Sequence, residues 1–310
     1  MKQLFYFVLL AAGLSSFHSC KDMLDEEGSP LIDLNDSTGF NGKRALFREV
    51  SNSDTVAEYR YNGLLLSQVI TAKKSITNIM WSGDKISQIT FNGYLDYNGT
   101  GTLGPDSTSY TQLFTYGNLG NLTRITENRS TYVRTPPVPP STTPGPAVLN
   151  SKMKTMYDLK YTSTTNKLDS ILMKTGVDTP GTTFAYNAYS KSGYSYVGDN
   201  VTKVQRFYGP INGTSNGTPT MKYSYEFLNY DDQISPYTLL PFAYKVSHLI
   251  STMANDSKSM MLSPNNPKRK TITDLMPSLP VPVIFSSNFR YDAQTYMTNG
   301  YSLNYIYKPM

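Results

Sequence analysis

Few side chains in this 310-residue chain can do nucleophilic or acid–base chemistry near neutral pH: there are two histidines, His18 and His248, and a single cysteine, Cys20. One thiol and two distant histidines supply neither a Cys–His nucleophile pair nor the multi-histidine or thiolate set of a zinc site. His248 stands beside Val246 and Leu249 in an apolar repeat and reads as an ordinary boundary histidine. Neither a phosphate-cradling GxxxxGK[ST] loop nor a GxSxG elbow occurs in the sequence. Paired carboxylates are the remaining route to catalysis, because two acids roughly 5–9 Å apart suffice for glycoside hydrolysis. The best pair is Asp231-Asp232, yet neighbours in a strand point to opposite faces, and an Asp-Asp-Gln turn before a helix is ordinary capping chemistry. A carboxylate-based glycoside hydrolase is therefore the alternative reading, and a non-catalytic binding or scaffolding module the preferred one. Asp231 and Asp232, with Asp84 and Asp199 in turn sequences, could hold calcium, but no EF-hand spacing supports this. No cofactor or resident metal is expected.

Binding chemistry is better represented. The chain holds 25 tyrosines, and a flat ring with a polar tip stacks on sugars and hydrogen-bonds their hydroxyls. Tyr186, Tyr189, Tyr194 and Tyr196 gather in sequence around Lys191-Ser192-Gly193, read as a turn, and are the first candidates for a ligand platform. The competing reading packs these rings in a sheet with their hydroxyls at its rim. Basic side chains number 28 against 23 acids, and six of the acids lie within residues 21–36, so the body is more basic than the whole. That sign suits an anionic polysaccharide or a lipid phosphate, although most of the basic residues are scattered, as on a solvated surface. Nucleic acid is not an expected partner.

Cys20 closes the segment MKQLFYFVLLAAGLSSFHSC. Its apolar run, Leu4 to Leu14, is shorter than the ~20 residues of a membrane-crossing helix, and a basic flank with a small-residue end fits a secretory signal over residues 1–19. A lone cysteine cannot cross-link the chain to itself. Its place directly after the small residues resembles a bacterial lipoprotein signal, in which the thiol is acylated and Cys20 becomes the first residue. Residues 20–40 then form an acidic tether, and the acids after Cys20 resemble the export signal of Bacteroidota lipoproteins displayed on the outer membrane. The expected partners are the lipid bilayer through Cys20 and a glycan or a surface protein.

The elements that would position these groups are mostly strands. An aromatic, a polar turn, then an aliphatic, two polar residues and a second aliphatic recur as Tyr61…Leu66…Val69, Trp81…Ile86…Ile89, Tyr116…Leu122…Ile125, Tyr161…Leu168…Ile171 and Tyr196…Val201…Val204. This is β-hairpin patterning, and aliphatics three apart instead of two predict a bulge after each turn. The fold class is mainly all-β, a large antiparallel meander or barrel-like sheet of repeated hairpins over residues 41–310. One substantial helix is predicted near 238–254, where apolar residues recur every three or four. The proline-rich stretch 135–148 reads as a loop within the sheet.

Tyr223-SYEFLNYDDQISPYTLLP, Leu262-SPNNPKR and the closing Phe289-RYDAQTYMTNGYSLNYIY together resemble a family of Bacteroidota surface lipoproteins of unknown function, over roughly residues 45–310. The resemblance implies a porin-like fold of many antiparallel strands and carries no activity.

Overall fold

The computed structural model describes residues 44–52, 54–97, 102–104, 106–135 and 145–309. Cys20, the signal at 1–19 and the acidic tether at 20–40 lie outside the described residues. Eighteen strands join in one antiparallel sheet. In chain order they begin β1 (Arg44–Val50), β2 (Thr55–Asn62), β3 (Leu65–Thr71), β4 (Ser75–Ser82), β5 (Lys85–Tyr94) and β6 (Ser107–Tyr116). The middle of the sheet is β7 (Leu122–Arg134), β8 (Ala147–Tyr161), β9 (Leu168–Val177), β10 (Ala188–Val197), β11 (Asn200–Asn212), the short β12 (Ser215–Asn216) and β13 (Met221–Tyr230). It ends in β14 (Pro267–Asp274), β15 (Pro282–Ser286), β16 (Arg290–Tyr291), β17 (Met297–Gly300) and β18 (Leu303–Pro309). Most strands pair with their chain neighbours, β11 pairs with both β12 and β13, no pairing joins β15 to β16 among the described residues, and β1 also pairs with β18, which brings the two ends of the sheet round toward each other. The seam between β14–β15 and β16–β17 is occupied by the segment around 231–235. Ile234 forms a parallel bridge to Tyr296 there, and the Asp231 amide donates to the Asn266 carbonyl at 3.1 Å.

The sheet curls around its apolar face. Both aliphatics of every repeat are buried in one cluster, together with Leu46, Tyr59, Tyr157, Phe227, Tyr305 and residues of a helix, α1 (Phe242–Ile250). The three-residue spacing has the expected cause. Each repeat pairs its aromatic with the first aliphatic, as Tyr61 with Leu66 and Trp81 with Ile86, and the register then slips by one. The same slip occurs at Tyr116, Tyr161 and Tyr196. The extra residue is Ser67, Ser87, Thr123, Asp169 or Thr202. All four hydroxyl-bearing members turn back to donate to the carbonyl of the residue before the aromatic, Ser67 to Arg60 at 3.1 Å, Ser87 to Met80 at 3.2 Å, Thr123 to Thr115 at 3.1 Å and Thr202 to Ser195 at 3.3 Å. A bulge leaves a ladder carbonyl without its usual amide, and a short hydroxyl is the side chain that can serve it.

The helix is shorter than the predicted 238–254. Leu240 is extended before Pro241, as the residue ahead of a proline tends to be, and α1 starts at Phe242. It stops at Ile250 because Thr252 is extended, while the Ser251 hydroxyl and the Asn255 amide both donate to the His248 carbonyl at 2.8 Å. Tight turns of the 3-10 type flank it at Pro236–Leu239 and Met253–Leu262. This plug is held by polar contacts with the inner wall. Ser247 donates to Gln112 at 2.5 Å, Arg129 to the Ser251 carbonyl at 2.9 Å, and Arg206 pairs with Asp256 at 2.8 Å. The proline-rich loop is narrower than expected: β7 and β8 pair as far as Arg134 and Ala147, so residues 147–148 belong to a strand.

Many outward side chains are polar and paired across strands, as Arg48 with Glu58, Gln68 with Asn78, Arg124 with Asp158 and Lys203 with Glu226. Such pairs add little stability in water. The interior is filled by the apolar cluster and by buried polar groups such as Gln112, Glu127, Arg206 and Asp256. An apolar strip does face outward on β15, where Val283, Ile284 and Phe285 are all exposed.

Candidate ligand-binding cleft

The bulges place the repeat aromatics at one end of the barrel, beside the hairpin turns. Each of these rings is half-buried, and most are fixed at the tip. The hydroxyl of Tyr61 donates to the Leu46 carbonyl at 2.9 Å, that of Tyr116 to Ile86 at 2.9 Å and that of Tyr161 to Leu122 at 2.7 Å. The Trp81 indole does the same to Leu66 at 2.7 Å, and Tyr230 does so to Val201 at 2.5 Å. Every such ring closes one strand and ties it to the start of the strand before, so its orientation is set by the sheet. Tyr196, at the equivalent place on β10, makes no such bond among the described residues; its ring lies 5.7 Å from the Lys167 ammonium.

Trp81, Tyr116, Tyr161 and Tyr196 line a single cleft of about 750 Å³ between the turns and the start of α1, with Phe242 and Lys245 on the helix side. That volume is in the range of small-molecule sites, about 300–1,000 Å³. The rim is charged. Lys85 stands 5.3 Å over the Tyr116 ring, Lys167 pairs with Asp199 at 2.9 Å, and Asp84 lies in the turn where Gly83 takes a φ of 64°. Lys245 is different: it is 8% exposed, and among the described residues its ammonium has neither an ion pair nor a side-chain hydrogen bond. Burial alone pushes its pKa down to about 8. His248, further along the helix, is held neutral by burial and by the nearby positive charge of Lys258, its pKa pushed down to about 3.

The four tyrosines expected to form a platform do not come together. Lys191-Ser192-Gly193 is the middle of β10 and not a turn, so Tyr186 and Tyr196 lie near opposite ends of a ten-residue strand. Tyr186 precedes the strand and packs edge-on against Phe184 at 5.0 Å. Tyr189 is buried and donates to the Gly217 carbonyl at 2.8 Å, and Tyr194 is buried in the core near Asp256 and Arg206. Only Tyr196 reaches the cleft. Asp231 is used in the turn: it accepts from the amides of Gln233 at 3.2 Å and Asn266 at 3.1 Å and from the Tyr291 hydroxyl, while Asp232 accepts from the Gln233 side chain at 2.6 Å. Among the described residues no cluster of three histidine, cysteine or acidic side chains could hold a metal ion.

Sequence reasoning missed Lys245. A signal was present, since Lys245 is three residues after Phe242 and four before Leu249, on the apolar side of the helical repeat.

No family model matches the chain, and no curated protein matches it. Among solved structures, one described as a porin-like protein from Bacteroides vulgatus is similar in outline, with 10% identity, a TM-score of 0.47, and coverage of 86% of this chain and 100% of the other.

Proposed function

We propose that this protein is a non-catalytic binding module, anchored to the outer membrane by lipid on Cys20, which takes a carbohydrate in the cleft at the turn end of its barrel. The observation that carries this reading is the convergence of Trp81, Tyr116, Tyr161 and Tyr196, four rings from four hairpins, on one cleft. Rings whose edges are already bonded to backbone lose little freedom when a sugar stacks on them, and that favours affinity. Turnover has less support, because the Asp231-Asp232 pair is engaged in a turn and Asp199 at the cleft is tied to Lys167. The anchor rests on the sequence around Cys20.

A glycan array with reducing-end assays on every hit tests the reading. The expected result is binding without turnover, lost in Tyr196→Ala and unaffected by Asp231→Asn. Turnover that disappears in Asp231→Asn or Asp232→Asn would replace the module with the hydrolase. Mass spectrometry of the native protein should find an acylated Cys20 as its first residue, and an unmodified thiol there would remove the anchor.

A further inference from the structure

Three lysines and four rings define the cleft in different ways. Lys167 already has Asp199, and Lys85 stands over the Tyr116 ring at the turn end. Lys245 comes from the opposite wall, on the first turn of α1, between Tyr244 and Val246, which are themselves buried in the core. Most of the Lys245 side chain is enclosed, and its ammonium opens on the cleft with no anion or acceptor beside it among the described residues, whereas a methionine of similar length would fill the same space without desolvating a charge. An enclosed charged group that opens on a cleft is a candidate ligand-binding group. We propose that Lys245 is the anchor for an anionic group on the ligand, so that the cleft selects an acidic sugar, a ring bearing a carboxylate, over its neutral counterpart.

This rests on the carbohydrate reading of the cleft and sharpens it. The rings supply stacking that any sugar could use, and Lys245 supplies a single ion pair inside a partly dry site, where charge-assisted hydrogen bonds are strongest. The carboxylate would sit at the helix side with the sugar face against Trp81 and Tyr161. The acids at the cleft, Asp84 and Asp199, both belong to the hairpin turns, away from the helix wall that carries Lys245. A ligand with one acidic group therefore has a defined orientation: charge inward at the helix, hydroxyls outward at the turns.

The test is isothermal titration calorimetry of the full chain with a set of uronic acid trisaccharides (galacturonate, glucuronate and mannuronate) and with the carboxyl-reduced form of each. Wild-type protein should bind at least one acidic member tenfold or more tighter than its reduced form. Lys245→Met should lower that affinity to the level of the reduced sugar and leave binding of the reduced sugar itself unchanged. Equal affinity for acidic and reduced forms, or a preference that survives in Lys245→Met, overturns the anchor while the stacking site stands. Absence of binding by any member of either set overturns both. A loss of all binding in Lys245→Met accompanied by a lowered melting temperature would make the residue structural and would also overturn the anchor.

Discussion

Enclosing most of the Lys245 side chain disfavours its charged form, and the group responds by releasing its proton more easily, at a pKa of about 8 where an ordinary lysine has 10.5. The folded state thus binds fewer protons than the unfolded state between those two values. The penalty is fully present below pH ~8 and fades as pH rises toward 10.5, and by linkage it amounts to roughly 3 kcal/mol. Thermal melts of wild type and Lys245→Met should show the variant more stable at pH 7 and the advantage shrinking by pH 10; a difference that does not change with pH would mean that the ammonium is solvated. A second contrast separates the rings. Tyr161→Phe removes the donor to the Leu122 carbonyl and should cost about 1 kcal/mol in chemical denaturation, whereas Tyr196→Phe, with no such bond, should cost close to nothing. Equal losses would contradict the assignment of Tyr196 as the unfixed ring. At this scale the sequence was a partial guide: Tyr196 was legible as a candidate, but Tyr186, Tyr189 and Tyr194 were grouped with it because Lys191-Ser192-Gly193 looks like a turn when serine and glycine are read alone.

At the scale of elements the hairpin repeat was the most legible feature, since its aromatics, its turns and its three-residue aliphatic spacing all follow from local chemistry. The bulge was readable from that spacing, and the hydroxyl that serves the freed carbonyl is also written in the sequence, as Ser67, Ser87, Thr123 and Thr202. The β9 copy has Asp169 instead, whose carboxylate accepts from Ser170 at 2.9 Å and has no proton to donate to the Lys160 carbonyl. Asp169 is exposed, so Asp169→Thr should restore the missing bond and raise stability by about 0.5–1 kcal/mol in urea unfolding. A destabilised variant would show that the hydroxyls follow the bulge without supporting it. The ends of α1 were less legible. Helical periodicity continues past Ile250, but the extended backbone at Thr252 and the donors aimed at the His248 carbonyl belong to the packed plug, and tertiary packing of this kind overrides a local pattern.

For the molecule as a whole, alternation and tyrosine content pointed to a curved antiparallel sheet, and one sheet of eighteen strands is what the described residues form. Which residues meet at its ends could not be read from local pattern, because convergence depends on strand count and on β1 pairing with β18, contacts separated by almost the whole chain. For the same reason the plug's buried pairs, Arg206 with Asp256 and Ser247 with Gln112, were invisible before folding. A sheet curled around one apolar cluster carries, at its turn end, a cleft walled by four hairpin rings. The central claim is that ligand enters that end, and the chain offers its own reporter, because its one tryptophan is Trp81, in the wall of the cleft. Titrating a glycan-array hit while following tryptophan emission should give a saturable shift whose midpoint matches the calorimetric affinity. Calorimetric binding that leaves Trp81 emission unchanged would place the ligand elsewhere and contradict the account.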